Sequence, residues 1–568
     1  MTVSHTTHRR ILHMRSISLA GLCLLLVACD PIPPAPGSLT LLVAGGTIID
    51  GTGSEGIVGD VGMIGDRIAW VGESGQAVAP DTIDANGLVV APGFIDVHSH
   101  TSPQIAREEF KLNEGVARQG VTTVIGGPDG YFTPDVLRRL IAAHDSLGIG
   151  TNVGYYVGHN GIRGEVMGDD QQRAPTDDEL AVMRSEVRRG MELGALGLST
   201  GLMYDPGMFS QTDEIIAMAK EVEPFGGIYD SHVRNPVHAF RDSDQEVITI
   251  AESAGIGGKI GHIKGVGLQN EGVINDIIAL VEQARDRGSN IVSDQYPYDG
   301  AATADIGGIV VVPPGMTGVE TMQMLMTGRA EPTPEMIATA QAELAAAAAD
   351  PAKWTALKAA SENGVDGGFA WLKATGYTSM RIVSAPDQPE IVGRYLSEIA
   401  ETEGKDPFRV VTDLLATGSP INLTLGAIKE PDVRAIMVQP WNMIASDGAW
   451  ADGSDSPEGH PRSAGTFARL LGHYVREEGV LSLEEAVRKI TSLPADFLGL
   501  EGRGRIRAGN TADLAIFDPE TIIDRSDWDY PNRFAVGVEH VLVNGARVLS
   551  DGEMTGAAPG RVIRRGGS

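Results

Sequence analysis

Short apolar runs of strand length recur along the chain, and their spacing changes twice. Over residues 41–43, 61–64, 68–71 and 88–90 they come close together, separated by turn residues such as Asp50-Gly51. That pattern predicts a small β-rich body. From Pro92 onward, runs at 121–125, 153–157, 195–199 and 291–293 alternate with helix-like stretches, as in a parallel barrel or a doubly wound sheet. Residues 483–492 read as a helix, and 512–517 and 538–543 return to strand character, so the β body is expected to use both chain ends. The alanine-rich stretch 335–349 and the following 353–362 read as helices with no barrel strand nearby, which predicts an insertion.

The N-terminus has a different pattern. Arg9, Arg10 and Arg15 precede an almost wholly apolar run over 17–28, too short to span a bilayer comfortably and typical of a signal peptide. It ends in Leu26-Val27-Ala28-Cys29, which resembles the bacterial lipobox. The expectation is cleavage before Cys29, a lipid anchor on that residue, and an exported lipoprotein held in the periplasm. Cys23 would leave with the peptide, so no thiol would remain for a disulfide, a metal site or catalysis. Pro31, Pro33, Pro34 and Pro36 predict a stiff tether over 29–39.

Composition narrows the partners. With 568 residues, 42% of them hydrophobic, the chain can bury a large core, and 21% charged residues exclude a disordered polyelectrolyte. The net charge of −30 repels phosphate backbones and anionic headgroups, so no nucleic-acid partner is expected, and membrane contact only through Cys29.

Three histidine segments share one spacing logic. Phe94-Ile95-Asp96-Val97-His98-Ser99-His100 ends an apolar run in two histidines on one strand face, able to aim at one ion. His232 and His262 each follow a strand-like stretch, about one βα unit apart. Asp447 ends the last such run, in Met443-Ile444-Ala445-Ser446-Asp447. Four imidazoles and a carboxylate at the catalytic face of a barrel suit zinc or a similar divalent ion and the hydrolysis of an unactivated amide.

The whole pattern resembles the amidohydrolase superfamily, through Ala91-Pro92-Gly93-Phe94-Ile95-Asp96-Val97-His98-Ser99-His100 and Gly509-Asn510-Thr511-Ala512-Asp513-Leu514-Ala515. Internal stretches are similar to those of the N-acyl-D-amino-acid deacylases: Gly197-Leu198-Ser199-Thr200-Gly201-Leu202-Met203-Tyr204, His262-Ile263-Lys264, Asp294-Gln295-Tyr296-Pro297-Tyr298, and His460-Pro461-Arg462. The resemblance implies an α/β fold: an (α/β)8 TIM-like barrel over 93–499, a β-sandwich from 40–92 plus 500–568, and an insertion near 313–380. It implies one or two Zn2+ ions held by His232 and His262, with His98 and His100 at a second site, and Asp447 as general base and acid. Lys264 and either Tyr296 or Tyr298 would meet the substrate carboxylate or the developing oxyanion of a small acylated substrate.

Two departures stand out. Asp129, in Gly126-Gly127-Pro128-Asp129-Gly130, occupies the place of the family's metal-binding cysteine. No arginine lies between Tyr298 and Arg329, where the family pairs one with the substrate carboxylate; Arg234 and Arg462 are the substitutes to consider. His159 is expected to serve structurally, and His460 to brace a loop or touch substrate. A cyclic-amide hydrolase and a silent ligand-binding lipoprotein are the rival readings, although residues 195–204 carry no lysine to bridge two metals.

Overall fold

The computed structural model describes residues 38–565 apart from 268–269, 271, 302, 314–315, 317–318, 320–332 and 366–369. The expected signal peptide, Cys29 and the proline tether lie outside the described residues, as does part of the expected insertion.

Turn residues divide residues 38–92 into β1 (Leu41–Ile48), β2 (Ile57–Ile64), β3 (Arg67–Gly72), β4 (Asp81–Asp84) and β5 (Val89–Pro92). Seven strands follow with helices between most of them: β6 (Phe94–Asp96), β7 (Val121–Gly126), β8 (Asn152–Gly158), β9 (Gly197–Gly201), β10 (Ile228–His232), β11 (Gly257–Ile260) and β12 (Ile291–Gln295). Then come β13 (Thr303–Asp305), β14 (Met380–Ser384) and β15 (Asn422–Leu425), before β16 (Asn442–Ile444). The chain ends through β17 (Leu514–Phe517), β18 (Val538–Val543), β19 (Ala546–Ser550) and β20 (Glu553–Met554).

Strands β6 to β12 and β16 pair in that order, and every neighbouring pair is parallel. Strands β7, β8, β9, β10 and β12 are buried at every position, as expected when side chains fill the barrel on one face and helices cover the other. A parallel bridge between Ser99 and Gly448 joins the two ends of the sheet. There the Asp447 N–H donates to the His98 carbonyl and the His100 N–H to the Gly448 carbonyl, both at 2.9 Å. Barrel closure therefore sets Asp447 beside His98 and His100.

The insertion between β12 and β16 is larger than 313–380. It has its own antiparallel sheet, ordered β13-β15-β14, and its own core from Ile306 to Leu425 through Leu344, Leu357 and Phe408. Its helices Pro334–Ala349 and Pro351–Asn363 are the part that composition reveals, whereas its strands are too short to announce a period. Both chain ends meet in a nine-stranded sheet, where β5 pairs with β1 and β17, around a core of Val43, Val61, Ile68, Leu514 and Leu542.

The last described residues strap the barrel floor. Gly560 bridges Ile149, Val562 bridges Val153, and the Arg565 guanidinium donates to the carbonyls of Phe225, Leu196 and Leu498 at 2.9, 3.3 and 2.8 Å. No helix among the described residues is long and apolar enough to cross a membrane.

Candidate active site

The strand ends at the C-terminal rim carry the chemistry. His98 and His100 follow β6, Asp129 follows β7, His232 ends β10, His262 follows β11 and Asp447 follows β16. Ligand atoms of His98, His100 and Asp129, of His98, His262 and Asp447, and of Asp129, His232 and His262 each lie within 4.8 Å of one another. Asp129 sits at the centre: its Oδ1 is 3.8 Å from His98 Nε2, 3.6 Å from His232 Nδ1 and 4.0 Å from His262 Nε2, and its Oδ2 is 3.6 Å from His100 Nε2.

Three of these residues hold left-handed backbone: Asp129 at φ 63°, His262 at 35° and Asp447 at 47°. Side chains rarely adopt that region, and it recurs where a fold must aim a functional group. The turn at Asp129 also needs a bare neighbour, because a Cβ on Gly201 would stand 2.5 Å from the Asp129 carbonyl.

Electrostatics suit a cation. Burial opposes charge on Asp129 but His232, His100 and His98 outweigh it, bringing its carboxyl down to about 2. Burial also opposes ionisation of Asp447, and Arg462, His262 and His98 overcome it, holding this carboxyl well below the usual range. Burial pushes the His232 and His262 rings below the ordinary imidazole range, toward the neutral form in which imidazole ligates metal. His98 Nε2 and Asp129 Oδ1 are buried with no hydrogen-bond partner among the described residues. Buried polar atoms without partners are costly, and a divalent ion would satisfy both. The donor set of imidazole nitrogens and carboxylate oxygens fits such an ion.

Arg462 Nη1 donates to Asp447 Oδ2 at 2.7 Å, and His100 Nε2 lies 3.1 Å from Asp447 Oδ1. The guanidinium of Arg462 also stacks 4.7 Å from the Tyr296 ring, with Lys264 Nζ 5.4 Å from the same ring. Lys264 donates to the His262 carbonyl at 2.9 Å, and burial lowers its ammonium to about 8. The two tyrosines part company. Tyr296 lies between Lys264 and Arg462, whereas the Tyr298 hydroxyl donates to Asp524 at 3.1 Å beneath Arg469, so of the two only Tyr296 faces the cluster's cations. Neither substitute arginine is free: Arg462 holds Asp447, and Arg234 holds Glu246. His460 braces its loop, its Nδ1 accepting from the Arg462 N–H at 3.1 Å and its Nε2 lying 3.3 Å from the Gly300 carbonyl. His159 pairs with Glu214 at 2.9 Å, as a structural histidine would.

The sequence reading did not single out what lies beneath the cluster. Lys259, on β11, is fully buried 2.9 Å from Asp230 Oδ1, in hydrogen bond with Asp294, and 3.5 Å from His98 Nδ1. Asp294 Oδ1 in turn accepts the His262 N–H at 2.5 Å. This network orients His98 and His262 from below. Its signal was one charged residue inside each of three short strand-like runs: Asp230, Lys259 and Asp294. Also missed was Tyr204, whose hydroxyl lies 3.1 Å from His232 Nδ1.

Fold and site together define a barrel hydrolase built around a divalent-metal centre. The model of the amidohydrolase family matches residues 81–224 and 390–549. The chain is 34% identical to D-aminoacylase of Alcaligenes xylosoxydans xylosoxydans, over 92% of this chain and 97% of that one. It is 30% identical to N-acyl-D-glutamate deacylase of the same organism, over 93% and 97%. The crystal structure of N-acyl-D-glutamate deacylase from Bordetella bronchiseptica, complexed with zinc and a phosphonate mimic of the tetrahedral intermediate, superposes with a TM-score of 0.72 at 30% identity, over 93% of this chain and all of that one. The chain belongs to the amidohydrolase family and, within it, to the N-acyl-D-amino-acid deacylases.

Proposed function

We propose that the protein hydrolyses the amide bond of N-acyl-D-amino acids or related D-residue peptides, with zinc as its resident ion. The observation that carries this reading is the state of two donor atoms: His98 Nε2 and Asp129 Oδ1 are buried and have no hydrogen-bond partner among the described residues, beside a carboxylate held by an arginine. His232, His262 and Asp129 would hold the principal ion, with His98 and His100 at a second position. When bound, such an ion polarises the scissile carbonyl and acidifies the attacking water.

The chain's own groups do the rest. Asp447 is ionised, and Arg462 restrains its Oδ2, so its carboxylate can take the water's proton and return it to the leaving amine. Lys264, beside Tyr296, offers a cation to the substrate carboxylate or the developing oxyanion. The names of the relatives support the substrate class. The lipobox-like Leu26-Val27-Ala28-Cys29 supports an exported lipoprotein acting outside the cytoplasm.

The test measures zinc content and amine release from N-acyl-D- and N-acyl-L-amino acids, using protein truncated before Cys29. Turnover of D-substrates that is lost in Asp447→Asn while zinc is retained supports the reading. Zinc binding without turnover of any panel member refutes the substrate.

A further inference from the structure

A cleft of about 970 Å³ separates the barrel rim from the inserted body. Met203 and Tyr204 form the side of it next to the metal cluster, their Sδ and hydroxyl 3.3 and 3.1 Å from the nitrogens of His232. Val310, Val312 and Trp371 supply an apolar wall from the inserted body. On the opposite wall Arg234 is the one cation among the described lining residues, and it is already engaged. Its Nε and Nη2 both donate to Glu246 at 2.9 Å, and its Nη1 donates to the Met208 carbonyl at 3.0 Å. Thr212 fixes the acceptor by donating to Glu246 Oε1 at 2.8 Å. Asp242 adds a second carboxylate to the lining, so two negative groups face one positive group.

We infer that this cleft seats an uncharged, apolar side chain of the D-amino acid, and that Glu246 excludes acidic side chains by occupying Arg234. The inference rests on the proposed deacylase reading and deepens it. A side-chain carboxylate entering the cleft would lose water without gaining a free cation, and would lie against like charge. An apolar side chain meets Val310, Val312 and Trp371 and loses nothing by leaving water. Glu246 is thus a specificity residue, and two relatives that share this chain's ancestry act, by name, on the acidic D-glutamate and D-aspartate derivatives.

The experiment compares N-acetyl-D-leucine, N-acetyl-D-methionine and N-acetyl-D-phenylalanine with N-acetyl-D-glutamate and N-acetyl-D-aspartate, on zinc-loaded parent, Glu246→Gln and Asp242→Asn. In the parent kcat/KM should favour the neutral set by about tenfold or more, from like-charge repulsion in the cleft. Glu246→Gln should release Arg234 and raise kcat/KM for the acidic pair by about tenfold, mainly through KM. Asp242→Asn, at an exposed position, should shift the same ratio in the same direction by a smaller factor. Equal or better turnover of the acidic pair by the parent overturns the inference and leaves the deacylase reading standing. An unchanged ratio in both folded variants overturns the role of Glu246. Zinc-loaded protein that hydrolyses none of the five refutes the deacylase reading itself.

Discussion

Two of the clusters of buried charge in this barrel are finished differently. Behind β8, Arg163 is fully buried and bonds Glu214, while its remaining N–H groups donate to the carbonyls of Gln171 and Arg173 at 2.9 and 2.6 Å. His159 completes the set by pairing with the other Glu214 oxygen at 2.9 Å. At the rim, His98 Nε2 and Asp129 Oδ1 have no hydrogen-bond partner among the described residues. Both clusters contain histidine and carboxylate, so the presence of those residue types alone does not distinguish them. The difference is completeness: a self-satisfied cluster holds the fold, and an unsatisfied one awaits a ligand.

The comparison can be pressed by experiment, from larger effects to smaller. Asp447→Asn is expected to lower kcat/KM about a thousandfold, roughly 4 kcal/mol in the barrier, with zinc content unchanged. Equal loss of zinc would mean that Asp447 acts mainly as a ligand. Glu214→Gln should do the reverse, costing about 3 kcal/mol of stability in denaturant titration because Arg163 is left buried without its counter-charge, while zinc per folded molecule stays the same. A Glu214→Gln protein as stable as the parent would erase the distinction between the clusters. Chelation should abolish turnover and, until zinc is restored, lower the free energy of unfolding by about 2.7 kcal/mol where free ion had stood about 100-fold above its dissociation constant, with the melting temperature falling accordingly. The Glu214 cluster gives no reason for such a response.

The smallest effect concerns pH. His144 is buried, with Nδ1 2.6 Å from the Tyr155 hydroxyl and Nε2 3.1 Å from the Ser102 carbonyl. Burial lowers its ring to about 4 from an ordinary 6.5. A base depressed in this way stays neutral in the fold, so the unfolded chain takes up the proton first. Its contribution is whole above pH 6.5 and is lost as pH falls toward 4. Stability measured from neutral pH to about pH 5.5 should fall by about 1 kcal/mol less in His144→Gln than in the parent. Parallel curves would show that this ring does not titrate with folding.

Much of this was legible in the chain. The histidines at 98, 100, 232 and 262 and the aspartate at 447 announce themselves because each ends or follows a strand-like stretch, and barrel strands aim their ends at a common rim. Asp129 was legible through its glycine-rich turn and the resemblance. What the cluster rests on was not. Lys259, Asp230 and Asp294 come from three strands, and their mutual contact exists only once the barrel closes. Arg234 and Arg462 were visible as charges, but their commitment to Glu246 and Asp447 depends on loop paths that no local pattern encodes. The inserted body was half legible: its alanine-rich helices carry a strong propensity, while β13, β14 and β15 are three to five residues long and gain their order from each other.

The shared sheet has a consequence for how the molecule is made. Strand β5 leads into the barrel and finds its partner β17 only after the barrel has been synthesised, and Arg565 clasps the floor within the last few residues. Pairings this distant in sequence are slow to form and come late. The whole barrel can therefore leave the ribosome before β5 and β17 are able to lock, and loss of the Arg565 clasp would strike the barrel at the face opposite its reaction centre.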